Sequence, residues 1–230
     1  MKCAIMQPTY LPWMGYFEMM LSCDCFVYFD DVQFVKKSWQ QRNRIKSING
    51  ELILTVPVLK KGELEQKINE AKINNQVNWR HKHLASIEIN YRKAPYFDRY
   101  IDGLRSIYGE NCEKLLDFNL AIIEFLRKSF DITTPTVLSS VLDTKGDRNE
   151  HIVNICKKVG ADTLYDAAGA SEILDHAVFA RSGVTLLFQK YQHPTYQQLH
   201  GDFLPNLSAL DLLFNEGDNC REIIIARTPA

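Results

Sequence analysis

The chain has 230 residues, 46% of them hydrophobic and 24% charged, which excludes a mainly disordered, collagen-like or coiled-coil chain. Lys plus Arg number 27 and Asp plus Glu 28, so the net charge is -1 and gives no electrostatic case for non-specific binding to nucleic acid or membrane. The length is that of one large domain and suffices to bury a sizeable core without staples.

Lys2 to Met6 reads as a short buried strand, followed by a loop over Gln7 to Pro12. Pro12 suits the first position of a helix running to about Ser22. Cys25 to Phe29 predicts a second strand ending in Asp30 and Asp31, the length of a strand–helix–strand unit. Glu51 to Val58 predicts another strand, closed by Pro57. From about Gly62 to Phe130 the texture turns helical, with Asn69 to Ile89, Tyr96 to Tyr108, and a face of Leu115, Phe118, Ile122, Ile123 and Leu126. This section, 62–130, reads as an insertion or cap within a single α/β domain spanning 1–230.

Thr136 to Leu142 returns to strand character. Asp147 and Glu150 have capping-box spacing, Ile152, Cys156 and Val159 share a helix face, and Gly160 supplies the stop. Thr163 to Tyr165 and Leu186 to Phe188 predict short strands, and Ser171 can cap a helix between them. Ser208 and Asp211 repeat the capping-box spacing before a last short helix to about Phe214. Alternating strands and helices predict a largely parallel α/β sheet.

Apolar runs near the start are too short or too interrupted for a signal-peptide core or a membrane span. The six cysteines form no C-x-x-C pair and read as reduced, apolar, intracellular thiols. No G-x-S-x-G, G-x-G-x-x-G or P-loop is present, and the sequence names neither a metal nor a cofactor. Nor does it set the oligomeric state.

Three runs carry chemistry. The first, Gln7 to Tyr16, follows the first strand and opens a helix, where α/β sheets bind ligands and helix N–H groups meet anions. Tyr10, Trp13 and Tyr16 crowd it with aromatic faces; a Pro-rich turn packing aromatics on the core is the plain alternative. In the second, Asp30 and Asp31 can orient an amine or hydroxyl, and Arg42 and Arg44 alternate on an extended segment, so both can fork onto one phosphate. Gln33 and Asn43 lie in the same run; its plain alternative is a turn with solvated charges. The third, Tyr191 to Gly201, sets His193, Tyr196 and Gln198 in a loop after a strand, and His is the side chain suited to proton transfer near neutral pH. A surface loop with satisfied polar groups explains it equally. His81 and His83, two apart in a predicted helix, share no face and read as surface residues.

Together, QPTYLPWMGYF, FVYFDDVQFVKKSWQQRNRIKS, NYRKAPYF and YQHPTYQQLHGDFLPNLSALDLLFNEG resemble the WbqC-like protein family along essentially the whole chain. That resemblance implies a place in bacterial surface-polysaccharide, O-antigen-type gene clusters. At the level of fold, Trp13-Met14-Gly15-Tyr16 also resembles the H-x-G-H signature of HIGH-type nucleotidyltransferases and pantothenate synthetase-like ligases, with both histidines replaced. The expected fold is a Rossmann-like α/β domain. The expected protein is a cytoplasmic transferase moving an acyl or aminoacyl group from an unidentified donor to the amino group of a nucleotide-linked sugar. Asp30, Asp31 and His193 are the expected catalytic residues. Gln7, Tyr10, Trp13, Tyr16, Gln33, Arg42, Asn43, Arg44, Tyr196 and Gln198 are the expected substrate contacts. An ATP-dependent ligase forming an acyl-adenylate, or a non-catalytic sugar-nucleotide binding protein, are the alternatives. Neither nucleic acid nor membrane insertion is expected.

Overall fold

The computed structural model describes residues 1–59 and 66–226. Five strands form one parallel sheet: β1 (Lys2–Met6), β2 (Cys25–Tyr28), β5 (Thr136–Leu138), β6 (Thr163–Asp166) and β7 (Thr185–Phe188), in the order β5-β2-β1-β6-β7. All are short runs of mainly apolar residues, as expected for strands covered on both faces. Register pairs Cys3 with Cys25 and Ala4 with both Phe26 and Tyr165. The chain builds outward from β1 through β2 to β5, then crosses to β6 and β7 on the other side, which is the Rossmann-like topology with its switch point between β1 and β6.

Between β2 and β5 lie an antiparallel hairpin, β3 (Arg42–Ser47) and β4 (Gly50–Thr55), and three helices, α2 (Trp79–Tyr91), α3 (Phe97–Gly109) and α4 (Leu115–Ser129). The predicted helical section starts on residues 62–65, which lie outside the described residues. Residues 71–78 are not helical: Ile73 bridges Val58, and Lys72 bridges Lys114. The predicted apolar face of α4 is buried throughout. It shares one large core with Ala4, the hairpin's Ile45 and Leu54, and helices α1 (Met14–Leu21), α7 (Ala209–Glu216) and α8 (Cys220–Ile225). The other face of the sheet, with Cys3, Ile5 and Val27, packs on α5 (Arg148–Lys158) and α6 (His176–Ser182).

Local chemistry corrects several expected boundaries. Helix α1 begins at Met14 with Trp13 as its N-cap, so Pro12 precedes the cap. Strand β5 stops at Leu138 because Ser139 and Ser140 turn aside to bond Asp30, the hydroxyl competition that ends strands and helices alike. Asp147 does cap α5, accepting from Asn149 and Glu150 N–H, and Gly160 follows with a positive φ of 77°. Asp175, not Ser171, caps α6. From Gln189 to Leu207 the described chain runs without helix or strand. Among the described residues no helix is long and apolar enough to cross a membrane.

Candidate functional site

A pocket of about 290 Å³ opens at the carboxyl end of β1, lined by Met6, Thr9, Trp13, Tyr16, Trp39, Asn43, Arg44 and Asn206. Its parts come from three places: the β1–α1 loop, the segment leading into β3, and the long segment after β7. Polar bonds fasten the first two together. Tyr10 N–H donates to the Trp39 carbonyl (3.1 Å), and Gln40 Nε2 donates to Gln7 Oε1 (2.8 Å). Asn43 Nδ2 donates to the Tyr10 and Leu11 carbonyls (3.2 and 2.6 Å). Leu11 is buried with φ of 46°, a left-handed conformation that a branched side chain adopts only when its surroundings impose it. The clamp from Asn43 is that imposition.

Trp13 forms one wall. The α1 backbone comes so close that a Cβ built at Gly15 would sit 2.3 Å from the Trp13 ring, which is why glycine stands there. Tyr16 forms the floor at 1% exposure; burial raises its pKa well above that of an ordinary phenol, so it keeps its proton. Among the described residues its hydroxyl has no hydrogen-bond partner. Trp39 stands half-exposed at the rim, with the Arg44 and Arg42 guanidinium carbons 5.3 and 5.9 Å from its ring centroid. Both arginines do lie in an extended strand on one face, yet their engagement differs. Arg44 Nη1 pairs with Glu51 at 2.8 Å and Nη2 reaches the Asn206 carbonyl at 3.4 Å. Arg42 has no acceptor among the described residues, and its Nε is shielded from solvent.

His193 sits beside the pocket across the Trp13 indole, in a cage of Trp13, Tyr191, Tyr196 and Phe203 with ring centroids 5.7–6.4 Å away. Burial lowers its pKa, opposed by the bond from Nδ1 to the Pro194 carbonyl at 2.9 Å. A carbonyl only accepts, so Nδ1 carries the hydrogen and Nε2 keeps its lone pair. Burial favours the neutral imidazole, and the Pro194 carbonyl fixes its tautomer with Nε2 unprotonated.

Other expected site residues are placed elsewhere. Tyr10 is fully buried and points into the helical section, where its hydroxyl meets His83 Nδ1 (2.8 Å) and the Tyr108 hydroxyl (2.5 Å). His83 is accordingly a core residue, not a surface one, and burial lowers its pKa to about 4. Gln33 is exposed and bridges Lys67. Asp30 is fully buried, and its carboxylate accepts from Ser139 Oγ, Ser140 N, Ser140 Oγ and Asn69 Nδ2 at 2.7–3.2 Å. It ties β2 to the turn after β5. Asp31 contacts Ser139 Oγ and faces His151 Nε2 at 3.4 Å, on the α5 side of the sheet. The acidic pair and His193 share no contact partner among the described residues.

Tyr196 and Gln198 belong to a buried network. Tyr196 and Tyr91 both donate to Asp211 (2.7 and 2.8 Å), and Gln198 bonds Lys46 Nζ, the Tyr196 hydroxyl and the Leu204 backbone. Asp211 thus does not complete a capping box; Ser208 alone caps α7, accepting from Leu210 N–H at 3.2 Å. Trp39, Asn206 and Lys46 were missed by the sequence reading. Trp39 was within reach, being an aromatic three residues before an alternating arginine pair. Asn206 and Lys46 gain their places through contacts more than 150 residues apart, which no local pattern carries.

The fold and the pocket define an α/β protein of Rossmann-like topology with an aromatic, arginine-rimmed crevice at the carboxyl end of its central strand β1, the side of the sheet on which this architecture receives ligands. The chain belongs to the WbqC-like protein family, whose model matches residues 7–223. It is 34% identical over 218 residues to a Mycobacterium tuberculosis (strain ATCC 25618 / H37Rv) protein named "Uncharacterized protein Rv1507c", covering 94% of each chain. No solved structure gives a significant match.

Proposed function

We propose that this protein is a cytoplasmic enzyme of bacterial surface-polysaccharide, O-antigen-type biosynthesis. It transfers an acyl or aminoacyl group to the amino group of a nucleotide-linked sugar. The observation that carries the reading is the pairing of a neutral, tautomer-fixed His193 with the aromatic pocket beside it. A pocket of about 290 Å³ is at the small end of the ~300–1,000 Å³ range of small-molecule sites. It suits one ring and its substituents, with the rest of a nucleotide-linked sugar lying across the rim over Trp39 and Arg42.

In this reading the sugar ring packs on Trp13, with the Tyr16 ring beneath it. The amine extends past the edge of the Trp13 indole, beyond the pocket lining, to His193, whose Nε2 takes its proton as the nitrogen bonds to the acyl carbon. The bond from that carbon to the donor's leaving group then breaks, and the leaving group departs with the proton. Asp30 and Asp31 support the frame and do not touch the substrate.

One observation favours a second reading, non-catalytic binding of a sugar nucleotide. The Asp30 carboxylate that could orient an amine is already saturated by protein donors. The test is incubation with nucleotide-linked amino sugars and a panel of acyl-CoA donors, and with ATP plus free acids, followed by mass spectrometry. N-acylated sugar without ATP, lost in His193→Asn while binding persists, supports the transferase. Tight binding without turnover supports the second reading, and pyrophosphate release identifies a ligase.

A further inference from the structure

We propose that Lys46 is a positioning residue for His193: its buried ammonium pins the Gln189–Leu207 segment so that the His193 cage closes beside the pocket. This rests on the reading of His193 as the proton acceptor, but its test needs no substrate.

Lys46 is the last but one residue of β3 and is 1% exposed. Lysines are almost never buried without a partner, because an ammonium leaving water must recover its hydration from protein oxygens. Among the described residues its three acceptors come from one segment: Gln198 Oε1 at 3.1 Å, the Gly201 carbonyl at 3.4 Å and the Asp202 carbonyl at 2.5 Å. Burial lowers the Lys46 pKa, while the charges of Asp211 and Asp202 pull it back. The ammonium therefore acts as a rivet with three heads in a stretch that has no helix or strand of its own. Stretches of that length without secondary structure are uncommon in compact domains and are usually functional.

The connection to His193 is a short chain of contacts. Gln198, held by Lys46, donates through Nε2 to the Tyr196 hydroxyl at 3.1 Å. The Tyr196 ring stacks on His193 with centroids 6.4 Å apart and an interplanar angle of 26°. Phe203, next to the Asp202 carbonyl that Lys46 grips, closes the cage, 5.7 Å from His193 and 5.4 Å from Tyr196. Removing the ammonium releases the Asp202–Phe203 side of the cage and leaves Gln198 to Leu204 and Tyr196 to Asp211, so both sides lose a shared anchor.

The readout is the titration and tautomer of His193, followed by NMR of imidazole-labelled protein without ligand. The signal is assigned with His193→Asn among the six histidines. The titratable groups packed on His193 are Tyr191 and Tyr196, both pushed by burial above the ordinary phenol range, so neither ionises while His193 titrates. In the wild type, His193 titrates below the ordinary value of about 6.5 with its hydrogen on Nδ1. In Lys46→Met it should move up to that value and show exchanging tautomers. His83, buried in the separate Tyr10 cluster, should stay near 4 and so reports that the core is intact.

If His83 also moves up, Lys46→Met has unfolded the chain. Gln198→Ala, which cuts the link without leaving or removing a charge, then decides, with the same shift expected at His193 alone. An unchanged His193 in a folded Lys46→Met or Gln198→Ala protein overturns the proposal. The titration reads the hold of Lys46 on His193 without substrate, so its failure is told apart from a failed acyl-transfer assay.

Discussion

Replacing Arg42 by Lys should weaken binding of a nucleotide-linked sugar far more than the same change at Arg44, although both guanidiniums stack on Trp39. Arg44 is already engaged by Glu51 at 2.8 Å and by the Asn206 carbonyl. Arg42 has no acceptor among the described residues, so it is the one with donors left for a phosphate. A guanidinium offers a planar fork that lysine cannot reproduce. Loss of one charged hydrogen bond is worth roughly 1.5–3 kcal/mol, or about ten- to a hundredfold in affinity. Arg44→Lys perturbs a half-exposed ion pair, worth about 0–1 kcal/mol of stability and little affinity. Calorimetric titration of both variants with a nucleoside diphosphate and with the matching nucleoside separates the cases. The Arg42→Lys loss should appear with the diphosphate and vanish with the nucleoside. Equal losses in the two variants, or a loss that persists without phosphate, would refute the reasoning.

Ser208→Ala removes the cap of α7 and should cost about 1 kcal/mol in urea unfolding, with turnover per folded molecule unchanged. Gly15→Ala should push the Trp13 indole out of the pocket wall, costing about 1–3 kcal/mol and abolishing the thermal shift given by any ligand of the pocket. His83 gives a pH signature: its folded pKa of about 4 lies below the unfolded value near 6.5, so the unfolded chain binds more protons between them. Stability should therefore fall by about 3 kcal/mol as the pH drops from 6.5 to 4. His83→Gln should flatten that slope in urea midpoints measured across the range, and an unchanged slope would assign the acid sensitivity to other groups.

The fold was legible where one period dominated. The short apolar runs at Lys2–Met6, Cys25–Tyr28 and Thr163–Asp166 became central parallel strands because both their faces are covered. The α4 face was legible from helical spacing alone. His83 does not share the exposed face of α2, although its spacing from His81 suggests a surface position. Compared instead with Trp79, Ile87 and Tyr91, it falls at four-residue spacing on the buried stripe of α2. The site was half legible. Trp13, Tyr16, Asn43 and Arg44 could be placed because a strand end and a helix start fix where their backbone lies. The direction of Tyr10, Tyr196 and Gln198 was not, since each aims at a partner supplied by a distant segment: His83, Asp211 and Lys46. The two aspartates illustrate the same limit. Asp30 and Asp31 end one strand, yet the turn after β5 and helix α5 decide what each carboxylate meets.

The contacts that close the pocket join residues near either end of the described chain: Arg44 with Asn206, Arg44 with Ser208, Lys46 with Asp202. Such pairings span about as much chain as the β1–β6 pairing, Lys2 with Thr163, so the crevice shares the long-range closure on which the sheet itself depends. The crevice is a property of the finished native state, and an occupant binds only that state. It should accordingly slow unfolding while leaving the folding rate nearly unchanged, acting as a latch on a door already shut.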